Sequence, residues 1–182
     1  MSGAVPDWAR RLLDSWFEDL DEGDWFGGDA VDRLLRERFE SVLAEQGERP
    51  AEEFLSHRET ARAAILLFDQ IPRNLYRDTP RAYAWDGPAR QLTHAFILRG
   101  WLGDYAESER QFVLMPLMHS EDIADQELSV EQFALHAPGA LEFARSHRDV
   151  IDRFGRFPHR NAVLGRQSTP AELRAVEEGA SW

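Results

Sequence analysis

The sequence predicts an all-helical fold, seven or eight helices with no strand. Apolar residues recur at three- and four-residue spacing along most of the 182 residues. Proline, glycine and Ser/Thr/Asp caps interrupt that spacing at helical intervals. Nowhere do four or more residues alternate cleanly within a β-branched run. The length suits one domain over residues 1–182.

The first helix shows the pattern: Val5, Trp8, Ala9, Leu12, Leu13, Trp16, Phe17 and Leu20 form one wide apolar stripe, closed by the acidic run around Gly23. Gly27-Gly28-Asp29 turns the chain into a second helix with Val31, Leu34, Leu35, Phe39 and Val42 on one face. For the third, Ser56 and Glu59 have capping-box spacing, and Ala61, Ala64, Ile65 and Phe68 form the buried side. Leu66 and Leu67 widen that side, so this helix should be central, and Pro72 should stop it. Thr79-Pro80 opens the fourth, which Asp86-Gly87-Pro88 either restarts or kinks and which carries Ala89, Leu92, Phe96 and Ile97. Tyr105–Met115 is the fifth, broken near Pro116. Ser120 should cap the sixth, with Glu121 and Asp122 in its first turn. Leu141–Phe154, ending at Gly155, is the seventh. Thr169-Pro170 and Glu172 start the last.

The segments 68–74 and 155–161 echo one another, each following a helix and each holding proline, arginine and asparagine. They read either as a repeat or as the common habit of proline to follow helices.

Composition excludes several chemistries. There is no cysteine, so disulfides, thiolate catalysis and Cys-based metal sites are ruled out. Every basic residue is arginine, which removes lysine Schiff bases and the Walker phosphate loop. The net charge is -12, distributed as -9 over residues 1–60, +1 over 61–120 and -4 thereafter. Such a surface opposes phosphate-backbone contacts, so no nucleic-acid partner is expected. No apolar run approaches the roughly 20 residues of a membrane span and no basic-then-apolar leader is visible, so no membrane partner is expected and the location reads as cytoplasmic.

The chemistry-bearing residues gather in three places. His119, Glu121, Asp122 and Asp125 form the densest polar cluster; it offers acid–base groups, or simply acids placed well at a helix start. It lacks the spacing of a zinc site, and no metal or cofactor is assigned. His147 lies on the stripe Ala140, Phe143, Ala144, Ile151 and Phe154, an interior histidine or a ligand, beside Arg148. His159, Arg160 and Asn161 occupy the loop that corresponds to Asp69, Gln70, Arg73 and Asn74. If these converge, Arg73, Arg77, Arg148 and Arg160 surround a small anionic metabolite, with His119 or His159 as proton carrier. Otherwise Asp69 pairs with arginine and the polar groups brace the helix ends.

These same residues carry a resemblance. Leu66-Leu67-Phe68-Asp69-Gln70-Ile71-Pro72-Arg73-Asn74-Leu75-Tyr76-Arg77 and Thr79-Pro80-Arg81-Ala82-Tyr83 resemble the signature of the bacterial DUF924 family. So do Met115-Pro116-Leu117-Met118-His119-Ser120-Glu121-Asp122, His147-Arg148 and Gly155-Arg156-Phe157-Pro158-His159-Arg160-Asn161. Ile71 departs from the phenylalanine usual there. The resemblance implies a tetratricopeptide-like superhelix and no assigned activity. It points to Asp69, Gln70, Arg73, Asn74, His119, Glu121, Asp122, His147, Arg148, His159, Arg160 and Asn161 as the family's recurrent polar set. Two functions follow: an anion site with acid–base or hydrolytic chemistry, or a protein-binding or homo-oligomeric scaffold without catalysis.

Overall fold

A computed structural model describes residues 4–25 and 27–180. Among them are eight α-helices: α1 (Asp7–Asp14), α2 (Asp29–Gln46), α3 (Arg58–Leu75), α4 (Asp86–Leu98), α5 (Glu107–Met118), α6 (Ile123–His136), α7 (Leu141–Phe154) and α8 (Pro170–Glu177). Short 3-10 turns join most of them, α1 continues into a π-helical turn at Ser15–Asp19, and no strand occurs among the described residues.

α3 is the axis of the fold because it is apolar on nearly every side. Ala61, Ala63, Ala64, Ile65, Leu66, Leu67, Phe68 and Ile71 are all buried, and α1, α2, α4 and α5 pack around them. Each large apolar side chain removed from water there contributes about 1.5–3 kcal/mol. Edge-to-face ring pairs lock the layers: Trp16–Phe112 at 5.4 Å, Trp25–Phe112 at 5.0 Å and Phe54–Phe68 at 5.4 Å. α5, α6 and α7 stack on one another in chain order, and α8 rests on the Pro158–Arg160 turn.

Several local features differ from the sequence expectation. Ser56 ends a 3-10 turn, and His57 caps α3 instead, its Nδ1 accepting from the Glu59 N–H at 3.2 Å. That frees the Glu59 carboxylate for Arg62 and the Tyr105 hydroxyl. Pro72 lies inside α3, which runs on to Leu75. Side chains satisfy carbonyls around it: Arg73 Nη1 donates to the Asp69 carbonyl at 2.7 Å and Asn74 Nδ2 to that of Gln70 at 3.0 Å. Pro116 is likewise carried within α5.

Asp122, not Ser120, caps α6, accepting from the Ala124 N–H at 2.9 Å. Glu121 therefore precedes the helix and does not share a face with Asp125. Residues 68–74 are helix, whereas 155–161 comprise the Gly155 cap of α7 and a 3-10 turn. The two segments share residue types but not a conformation. On α7, the buried stripe is Ala144, His147 and Ile151, while Phe143 is 58% exposed.

Candidate functional site

The last turns of α3, the first turn of α4, the end of α5, the middle of α7 and the 158–160 turn meet in one polar cluster. Asp69 sits at its base, 0% exposed. It takes His119 Nδ1 at 2.7 Å and Arg73 Nη1 at 3.2 Å on one carboxylate oxygen, and Gln70 Nε2 at 2.5 Å on the other. Arg73 reaches onward to Asp86 with a two-pronged contact, Nη1 to Oδ1 at 2.8 Å and Nη2 to Oδ2 at 3.0 Å. Arg160 approaches the same carboxylate from the other side, Nη1 to Oδ2 at 3.5 Å. Asp86 thus joins two arginines distant in sequence.

The aromatic walls are Tyr83 and Phe157. The Arg160 guanidinium carbon lies 4.6 Å from the Tyr83 ring centre and 4.5 Å from that of Phe157. Two histidines border Phe157, His147 at 5.6 Å and His159 at 5.6 Å, and His119 lies 6.2 Å from His147.

The protonation states follow from these contacts. Burial alone would raise the Asp69 carboxyl, but Arg73 and His119 hold it well below the usual carboxylate range. An ionised carboxylate only accepts, so His119 Nδ1 carries the proton of the neutral ring and Nε2 is its acceptor. Burial lowers the His119 pKa against the pull of Asp69. His147 donates Nδ1–H to the Phe143 carbonyl at 2.8 Å, and burial, with His119 nearby, lowers it to about 3. Burial and Arg160 lower His159 to about 4, and its ring is hydrogen-bonded to the backbone of Ala180. All three rings are neutral at pH 7.

Arg160 is the outlier in this network. It is 6% exposed, and burial together with the neighbouring Arg73 charge lowers its pKa to about 10. Its Nε, fully buried, has no hydrogen-bond partner. Arg73, by contrast, is held firmly charged by Asp69 and Asp86 despite burial.

Other residues singled out in the sequence point elsewhere. Arg77 pairs with Asp32 at 2.8 Å and with Asn74 at 2.9 Å, bracing α2 against α3. Glu121 receives Arg166 at 2.7 and 2.9 Å and the Phe157 N–H at 2.7 Å, which fixes the loop that carries Arg160. Asn161, 0% exposed, bonds Ser168 and Arg166 within the 161–168 loop. Asp122 is a cap. Arg148 lies on the outer side of α7 and pairs with Asp149 at 2.8 Å.

Sequence reasoning did not single out Asp86 and Tyr83 as site residues, although Asp86 stood at a helix start and Tyr83 within the segment Thr79-Pro80-Arg81-Ala82-Tyr83 that carries the family resemblance. It also missed a second network, in which Asp125 takes the Ser120 hydroxyl at 2.7 Å and His94 Nε2 at 2.7 Å, with Arg90 donating to Ser120 at 3.0 Å. Because the carboxylate stands between hydroxyl and imidazole, that order does not activate the serine. An open cleft of about 690 Å³ lies beside it, lined by Arg90, Glu121, Asp122, Ile123, Ile151, Asp152 and Gly155. Among the described residues, no group of three or more His, Asp or Glu is placed to hold a metal ion. Nor is any helix among them long and apolar enough to cross a membrane.

A solved protein of unknown function from Agrobacterium tumefaciens is similar, with 37% identity over 94% of this chain and 97% of that one and a TM-score of 0.85. No curated protein matches the chain. The family described as "Bacterial protein of unknown function (DUF924)" matches residues 12–180. With nearly its whole length matched, the chain belongs to the DUF924 family.

Proposed function

We propose that this protein binds a small molecule bearing a carboxylate or phosphate at the Arg160 guanidinium, with His119 as the adjoining proton acceptor. The carrying observation is the buried Arg160 Nε that no acceptor meets. A buried cation with incomplete pairing is costly, and an entering oxyanion supplies a charge-assisted bond that the resting protein lacks. The Asp69–His119 pair adds the means for acid–base or hydrolytic chemistry, because the carboxylate holds Nδ1–H and leaves Nε2 basic. Stacking of α2 on α3 and α3 on α4, then α5 to α7, is in keeping with a tetratricopeptide-like arrangement. A second reading, a protein-binding or homo-oligomeric scaffold, draws on Leu135 and Phe143, 65% and 58% exposed on α6 and α7.

A thermal-shift screen at constant ionic strength, with acetate, propionate, succinate and inorganic phosphate, tests the anion reading. A ligand at 100 times its dissociation constant adds about 2.7 kcal/mol of apparent stability. The expected shift disappears in folded Arg160→Gln and shrinks in Arg160→Lys, which keeps charge without the planar fork. Stabilisation by none of the four, or an equal shift in Arg160→Gln, overturns the reading.

A further inference from the structure

We infer that α8, with the residues that follow it to Ala180, is a lid over the His159–Arg160 turn, latched by Arg156 on Glu172, and that it opens without unfolding the rest of the molecule. The inference goes beyond the anion-site reading, because it concerns how the turn is reached and not what binds there.

Burial creates the need for a moving part. Arg160 is 6% exposed and Asp69 0%, so an element that covers them must shift before a molecule reaches them. α3, α4 and α5 bury Ile65, Phe68, Leu92, Phe96, Phe112 and Leu114, and displacing any of these helices opens the core. α8 is different. Ala175 is its one buried apolar residue, and Leu173 is 54% exposed. It rests on the Pro158–Arg160 turn. An element with so little buried apolar surface belongs to the part of a fold that opens at low free energy.

Polar bonds hold α8 in place instead. Arg156 Nε donates to Glu172 Oε1 at 2.6 Å, and its Nη2 donates to Oε2 at 3.0 Å and to the Gln167 carbonyl at 2.8 Å. At the far end of the lid, the Ala180 backbone is hydrogen-bonded to the His159 ring. The start of α8 does not need Arg156, since Thr169 and Glu172 form a capping box of their own. Release of Arg156 therefore undocks α8 without removing its cap. The pivot lies just before the helix, where residues 166–169 form neither helix nor turn. The preceding loop stays behind, because Arg166 pins it to Glu121 at 2.7 and 2.9 Å. What the lifted lid uncovers first is His159, which loses its bond to Ala180.

Two readouts on the full-length protein test the lid: amide hydrogen exchange by mass spectrometry, and carbethoxylation of His159 by diethyl pyrocarbonate. Arg156→Gln should speed exchange in residues 170–180 about tenfold or more, as loss of a two-pronged charged contact allows. The His159 reaction should accelerate by a similar factor. Exchange in α3 and the reaction of His57, which caps α3, should stay unchanged. Arg156→Lys, which keeps the charge without the fork, should fall between wild type and Arg156→Gln. Should Arg156→Gln fail to fold, the wild type decides: α8 amides whose exchange depends less on urea than that of α3 amides report an opening smaller than unfolding. Exchange of α8 and α3 with one rate and one urea dependence overturns the lid. So does a His159 that stays unreactive while α8 exchange accelerates. No ligand enters these measurements, so failure of the anion screen leaves the lid standing, and failure of the lid leaves the anion site to its own screen.

Discussion

Asp86 is the residue on which the polar cluster depends, since it is the only carboxylate that Arg73 and Arg160 share among the described residues. Asp86→Asn keeps the shape and removes the charge, leaving two buried guanidiniums under-compensated. Breaking a buried pair from one side costs about 3–5 kcal/mol, and urea denaturation should show a loss of that order. A change below about 0.5 kcal/mol would mean that Asp69 alone neutralises both arginines. His147 carries a large share of the acid sensitivity, beside His119 and His159, which are also lowered on folding. Its folded pKa, about 3, lies below the unfolded value, so as pH falls below about 6.5 the unfolded chain takes up a proton that the folded chain refuses. Stability then drops by at most about 1.4 kcal/mol per pH unit for this group. Asp69, lowered on folding, adds a further loss in the acid range below its unfolded value. The groups facing His147 include His119, His159 and Arg160. His147→Phe should make the stability profile between pH 6.5 and 4 less steep in equilibrium unfolding, with His119 and His159 supplying the remaining slope; an unchanged slope would place the proton uptake elsewhere. At this scale the sequence revealed Arg73, Arg160 and the histidines because arginine and histidine near helix ends are chemically conspicuous. Asp86 and Tyr83 stayed hidden because an acid at a helix start and a tyrosine in a turn have ordinary local explanations.

Helices were legible where one periodic stripe meets one core, and less so at their ends. Ser56 and Ser120 have the right side chains for caps, but the chain enters each helix later, at His57 and Asp122. Pro72 and Pro116 look like stops, yet the helices continue because tertiary burial outweighs the roughly 3 kcal/mol that an interior proline costs. α8 is the contrasting case, read correctly from Thr169, Pro170 and Glu172. The Thr169 hydroxyl accepts from the Glu172 N–H at 3.2 Å, and the Glu172 carboxylate accepts from the Thr169 N–H at 2.7 Å while also holding Arg156. Thr169→Ala should cost about 1 kcal/mol of local stability. Amide exchange in α8 should accelerate several-fold while α3 amides stay unchanged. Equal acceleration in both helices would show that α8 unfolds only with the whole molecule.

For the whole molecule, a net charge of -12 surrounds a site proposed to take an anion. Long-range repulsion should slow association, and salt should relieve it, since the Debye length falls from about 30 Å at 0.01 M to about 8 Å at 0.15 M. The association rate of a bound carboxylate should therefore rise across that range in stopped-flow measurements. A falling rate would mean that the ligand meets a locally positive entrance. The balance of charge along the chain pointed to the middle third, or to the similar stretch near residue 160, for such a site, and α3 and α4 do supply Asp69, Arg73 and Asp86 to the cluster. The sequence also offered His147 and the loop holding His159 and Arg160; that they meet the end of α3 and the start of α4 became visible only in three dimensions.

The most direct measurement concerns the Arg160 Nε–H itself. Nitrogen-15 spectra of arginine-labelled protein, titrated with sodium lactate against sodium chloride at equal ionic strength, report whether an oxyanion reaches that atom. A saturable shift of the Arg160 Nε–H signal, absent with chloride, is the predicted result. A signal unmoved by lactate, propionate and phosphate would contradict the anion site and leave the cluster as a brace for a helical scaffold.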